Sequence, residues 1–125
     1  MAKILIVDDE VEILKIFQQF LIMSGFEVIL ASGGREAVKI IRSGQRIDLM
    51  VLDLVMPGYP GVDVLSDMKD AGISLPYIIL SGTMELHDFI DELKALGCPR
   101  QDIYSKPIDL KELLEVLKKK LALYS

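Results

Sequence analysis

Five times along this chain a short apolar run of strand length gives way to a segment whose apolar residues recur three and four apart. Runs that are apolar at every position suit strands buried on both faces, and an intervening helix lets successive strands lie parallel. Five such units predict an α/β fold: a doubly wound parallel sheet with helices on both faces and right-handed crossovers. No compositional break or linker divides the chain, so one domain over residues 1–125 is expected.

Residues 3–7 read as the first strand, closed by Asp8 and Asp9. Residues 10–24 follow as a helix on Val11, Leu14, Phe17 or Gln18, Leu21 and Ile22, ended by Gly25. Residues 26–30 are the second strand, and Ser32 is placed to cap a helix over 33–42. The third strand, within Ile47-Asp48-Leu49-Met50-Val51-Leu52-Asp53, delivers a carboxylate to its end before Pro57-Gly58 breaks the backbone. A helix over 61–70 uses Val62, Leu65 and Met68. Pro76 opens a fourth strand ending at Ser81, and a helix over 85–96 packs Leu86, Phe89, Ile90, Leu93 and Leu96. Residues 103–105 form a short fifth strand. Asp109 and Glu112 have the spacing of a capping box for a last helix on Leu110, Leu113, Leu114, Leu117 and Leu121.

A chain that is 51% hydrophobic and 26% charged can bury a core, and its net charge of −5 argues against direct nucleic-acid binding. The one basic run, Lys118-Lys119-Lys120, falls at a helix end, where cations complement the dipole. No apolar stretch approaches the roughly 20 residues of a membrane helix, and the apolar run before Asp8 is too short for a secretory leader. Cys98 stands alone, so no internal disulfide forms and a cytoplasmic setting is expected. His87 reads as a surface histidine. The six methionines, Met23, Met50, Met56 and Met68 among them, read mostly as core or loop packing.

In an open parallel sheet, ligands collect beyond the carboxyl ends of the strands. There the chain places Asp8, Asp9, Asp53, Ser81 and Lys106. Two carboxylates about 5 Å apart repel by roughly 3 kcal/mol at an effective dielectric near 20, so a proton or a cation must relieve the cluster. Oxygen donors without His or Cys suit Mg²⁺. A carboxylate is also a nucleophile toward phosphorus, a reaction that needs cations and donors around the transferred group. Lys106 supplies the charge, Ser81 a hydroxyl, and Gly82 leaves room beside its N–H. Pro107 admits either peptide isomer at the lysine.

With Ile-Val-Asp8-Asp9-Glu10, Leu-Asp53-Leu-Val-Met56-Pro57-Gly58 with Gly61, Ile-Leu-Ser81-Gly82 and Lys106-Pro107 in this order, the chain resembles the receiver domain of two-component response regulators over essentially its whole length. The resemblance implies a flavodoxin-like sheet of order 2-1-3-4-5. It implies that Asp53 accepts a phosphoryl group from a sensor histidine kinase or a histidine phosphotransfer protein. Asp9, Asp53 and the Val55 carbonyl would ligate Mg²⁺, with Asp8 reaching it through water. Lys106, Ser81 and the backbone of Leu54 and Gly82 would bind the phosphoryl oxygens. The chain would then be no enzyme beyond its own phosphorylation and dephosphorylation, and it would signal to a downstream protein through the face of its fourth helix, fifth strand and fifth helix.

Some positions depart from the family pattern. Its switch aromatic stands three residues before the lysine, where this chain has Ile103; Tyr104 is two before, and strand alternation turns it to the opposite face. Residues 98–102 form a longer segment than usual, and Pro60 is unusual in its loop. Val55 offers no hydrogen bond to a hydrolytic water and Thr83 only a short hydroxyl, so slow loss of the phosphoryl group is expected. A dehalogenase-type phosphatase would need a second acid at Val55. A pseudo-receiver acting by binding alone predicts loss of an acid or of the lysine, and all four are present. No output domain follows Tyr124-Ser125, so a stand-alone regulator, a phosphorelay intermediate or part of a larger protein is expected.

Overall fold

A computed structural model describes residues 1–123; the Thr83 side chain, Tyr124 and Ser125 lie outside the described part. Its elements are β1 Lys3–Val7, α1 Val11–Met23, β2 Glu27–Ala31, α2 Gly34–Arg42, β3 Leu49–Asp53, α3 Gly61–Asp70, β4 Tyr77–Ser81, α4 Thr83–Ala95, a 3₁₀ turn Arg100–Asp102, β5 Ile103–Ser105 and α5 Leu110–Ala122. All pairings are parallel, and the strand order is β2-β1-β3-β4-β5, as expected.

Strand alternation divides the core into two layers. Leu5, Val7, Met50, Leu52 and Ile79 face α2, α3 and α4, packing with Ala37, Ile41, Leu65 and Leu93. Ile4, Ile6, Leu49, Val51, Ile78 and Leu80 face α1 and α5, packing with Leu14, Phe17, Leu21, Leu113 and Leu117. Every residue of β3 is buried, so the strand that carries Asp53 is held from both sides.

Several local expectations are corrected. Val11, Ile22 and Met23 of α1 are exposed; a stripe centred on Leu14, Phe17 and Leu21 covers the sheet, and these three stand at the helix ends, off that stripe. Ser32 does not cap α2: the N-cap is Gly33, and the Ser32 hydroxyl donates to Glu36 Oε2 at 3.1 Å. Asp109 stands at the N-cap of α5 without a side-chain capping bond. α4 starts at Thr83, two residues earlier than periodicity indicates, because Met84 is exposed and the inward-facing stripe begins only at Leu86. Among the described side chains of α4 only Leu93 is fully buried; Leu86, Phe89 and Ile90, with Leu96 just after the helix, are half-buried.

The segment 98–102 has a structural use. Asp102 is buried, and its Oδ1 accepts from Lys120 Nζ at 2.7 Å, tying the approach to β5 to the last turns of α5. One lysine of the basic run is thus drawn inward to a buried carboxylate.

Candidate functional site

Each residue of the site is delivered by the backbone step that ends a strand. Val7 of β1 pairs with Leu52 of β3, so Asp8 and Asp53 come off neighbouring strands at the same level. Asp53 pairs with Leu80, and Ser81 with Ser105, which brings Lys106 to the same rim. The Lys106 N–H donates to the Ser81 carbonyl at 2.9 Å, extending the β4–β5 ladder by one residue and anchoring the lysine. The Lys106–Pro107 peptide is cis.

Lys106 Nζ lies 3.0 Å from Asp8 Oδ2 and 3.2 Å from Asp53 Oδ1. Asp8 and Asp53 are buried, at 2% and 4% exposure, whereas Asp9 faces solvent, so an ion entering this corner meets one accessible and two enclosed carboxylates. One ligand oxygen from each of Asp8, Asp9 and Asp53 lies within 4.8 Å of the others. Asp8 Oδ1 also accepts the Glu10 N–H at 2.9 Å, which fixes the carboxylate plane. A cleft of about 380 Å³ opens over this group, lined by Asp9, Asp53, Val55, Met56, Glu85 and Lys106 among others.

Burial pushes the Asp53 carboxyl up to about 6 from 3.8, helped by the negative charge of Asp8 and opposed by Lys106. For Lys106, burial works against the ammonium, but hydrogen bonding and attraction from Asp8 and Asp53 outweigh it and raise its pKa. The corner is therefore under-neutralised: one ammonium serves two buried carboxylates, with a third at the rim. Three hard oxygen donors that close together, with solvent access through Asp9, fit a divalent cation such as Mg²⁺.

The expected phosphoryl-facing donors are arranged differently. The Leu54 N–H donates to the Leu80 carbonyl at 3.1 Å and is spent in the sheet, because β3 and β4 continue pairing one step beyond Asp53. The Gly82 N–H donates to Glu85 Oε2 at 2.8 Å, and the Ser81 hydroxyl donates to the Gly82 carbonyl at 2.8 Å. Glu85 is the cleft residue that sequence reading passed over. Gly82 and Glu85 have the N-cap-to-N3 spacing of half a capping box, a signal masked because glycine carries no capping side chain.

Ile103 and Tyr104 do turn to opposite faces. Ile103 packs with the α2–α3–α4 layer, and Tyr104 with the layer of α1 and α5. Pro60 is the N-cap of α3, and the next residue, Gly61, is a point of close approach: a Cβ there would lie 2.6 Å from the Asp53 carbonyl oxygen. His87 is exposed on α4, and Cys98 is buried.

A doubly wound sheet with three acids, a lysine and a serine at its carboxyl rim defines a class of signalling domain. Residues 4–118 match the response regulator receiver domain, and the chain belongs to that family, the receiver domains of two-component signal transduction. It is 37% identical over 114 residues to the response regulator SaeR of Staphylococcus epidermidis, an alignment covering 91% of this chain and 48% of that protein. SaeR of Staphylococcus aureus is 35% identical over the same length. The chain thus spans about half the length of these curated relatives. Among solved structures, the Francisella response regulator 1452 receiver domain matches with a TM-score of 0.84 at 25% identity, covering 100% of both chains. The chemotaxis protein CheY4 of Vibrio cholerae matches with a TM-score of 0.81 at 28% identity, covering 95% of this chain and 98% of that one. No helix of the described residues is long and apolar enough to cross a membrane.

Proposed function

We propose that this receiver domain is a phosphoacceptor switch with Asp53 as the acceptor. An Asp53 carboxylate oxygen attacks the phosphorus of a phosphohistidine on a sensor histidine kinase or a histidine phosphotransfer protein. The P–O bond forms as the P–N bond breaks, and the departing imidazole nitrogen takes up a proton. Asp9, Asp53 and the Val55 carbonyl would hold Mg²⁺, with Asp8 reaching it through water; the ion, when bound, offsets charge on the transferred group. Lys106 supplies a fixed cation beside the attacking oxygen, and Ser81 a hydroxyl donor once it turns from the Gly82 carbonyl.

The observation that carries this reading is Lys106 Nζ at 3.2 Å from Asp53 Oδ1, inside a cluster of three carboxylates. Beyond self-modification, no catalytic turnover is assigned to the chain. Added charge at Asp53 would shift a pre-existing equilibrium in the α4–β5–α5 face and change binding of a downstream protein. Exposed Val11 and Ile16 on α1, next to the site, support docking of the phosphoryl donor there.

The test is intact mass after incubation with acetyl phosphate and Mg²⁺, for the wild type and Asp53→Asn. One added phosphate on the wild type, absent from the variant, supports the switch. A folded wild type that never gains mass leaves only a binding module, and continued release of inorganic phosphate in excess of protein indicates a phosphatase.

A further inference from the structure

The β4–α4 corner holds two donors beside the acceptor, and both are already engaged. Glu85 takes the Gly82 N–H at 2.8 Å, while the Ser81 hydroxyl is turned onto the Gly82 carbonyl. Glu85 also lines the cleft that contains Asp53 and Lys106. Its carboxylate covers Gly82 closely: a Cβ on that residue would meet Glu85 Oε2 at 2.8 Å. A carboxylate oxygen and a phosphoryl oxygen are acceptors of the same kind, so they compete for one N–H.

We propose that Glu85 is a positioning residue that keeps the phosphoryl-binding corner closed, its carboxylate holding the Gly82 N–H until an incoming phosphoryl group displaces it. The inference rests on the phosphoacceptor reading and specifies its resting state. Occupation of the N–H lowers the fraction of molecules competent to bind phosphate, and apparent affinity falls by the same fraction. Displacing Glu85 also removes the tie across the first turn of α4. Among its described side chains that helix buries only Leu93 completely, and Leu86 is the half-buried apolar residue of its first turn, so little apolar packing holds that turn in place. Phosphate capture at Asp53 is thereby linked to the start of α4 by one hydrogen bond exchanged for another.

The test compares wild type, Glu85→Gln and Glu85→Ala in loading by acetyl phosphate with Mg²⁺, together with hydrogen exchange of the Gly82 amide. Glu85→Ala should load about fivefold faster, the effect of one solvent-exposed hydrogen bond, and its Gly82 amide should exchange faster before loading. Glu85→Gln keeps an uncharged acceptor and should fall between. A purely structural cap would lower the melting temperature without raising the loading rate, and equal or slower loading of a folded Glu85→Ala overturns the proposal. If Glu85→Ala does not fold, Glu85→Gln decides by the same criterion. A wild type that loads while both variants load no faster removes only this inference; a folded wild type that gains no phosphate removes the phosphoacceptor reading as well.

Discussion

The Lys106 ammonium lies 3.2 Å from the Asp53 carboxylate although the two residues leave strands separated by β4. The Lys106 N–H is held by the Ser81 carbonyl at 2.9 Å, at the end of the intervening strand, and the long lysine side chain covers the remaining distance. The same ammonium contacts Asp8 at 3.0 Å, so one cation links the ends of β1, β3 and β5.

Removing that cation leaves two buried carboxylates facing each other. Lys106→Met should destabilise the metal-free protein by about 2 kcal/mol at neutral pH. Mg²⁺ should recover more stability in the variant than it adds to the wild type, since it then meets uncompensated charge. Urea unfolding with and without Mg²⁺ measures both, and an equal response of the two proteins to the ion would contradict the prediction.

Asp53 predicts a pH dependence of the opposite sign to an ordinary ion-paired acid. Its folded pKa is about 6 against 3.8 for the free carboxyl, so the folded state binds more protons between those values. Stability contributed by the group is full below pH 3.8 and is lost as pH rises through about 6. In the absence of metal, Asp53→Asn should therefore be more stable than wild type at pH 7.5 by about 1–2 kcal/mol, with the difference vanishing near pH 4. Melting curves across that range in a chelating buffer report it, and a variant less stable than wild type at neutral pH would refute it.

Gly61 is constrained by the backbone it approaches. The 2.6 Å approach of an added Cβ to the Asp53 carbonyl oxygen requires the end of β3 or the start of α3 to move, and the Gly61 N–H is also bonded to the Leu54 carbonyl at 2.8 Å. Gly61→Ala should cost about 1–3 kcal/mol and weaken Mg²⁺ binding by displacing Asp53. Gly33→Ala is the control, since nothing lies within 4 Å of its added Cβ.

The Asp102–Lys120 pair is a structural counterpart to the site. With both side chains at about a tenth exposure, Lys120→Met leaves a buried carboxylate without this cation and should cost about 2–4 kcal/mol. Asp102→Asn combined with Lys120→Met should recover part of the loss, because the uncompensated charge is gone. Full additivity of the two single effects would show that the residues do not act as a pair.

On the proposed phosphoacceptor reading, Val55 bears on the lifetime of the phosphorylated state. An apolar side chain at the cleft cannot orient a hydrolytic water, so decay of the acyl phosphate should take hours, and Val55→Asn should speed it by about tenfold or more. Phosphate release after removal of excess acetyl phosphate measures it; wild-type decay within seconds would end the idea.

What could be read from the sequence was set by period and position along the chain. Alternating apolar runs and helical stripes determine five parallel strands, and residues that end apolar runs must lie on the carboxyl rim, so Asp8, Asp53, Ser81 and Lys106 were legible as one group. Sequence pattern failed where apolar character and burial part company, at the exposed Val11 and Ile22 of α1 and Met84 in the first turn of α4, and at Ser32, whose hydroxyl bonds Glu36 and does not cap the helix. Which distant donors are spent was decided by tertiary structure alone: Leu54 gives its N–H to Leu80, and Lys120 turns inward to Asp102. The Gly82 N–H goes to Glu85 three residues on, a local bond whose spacing the sequence carries. A hydrogen bond depends on where two groups meet in space, and a one-dimensional pattern carries the identity of those groups without their meeting.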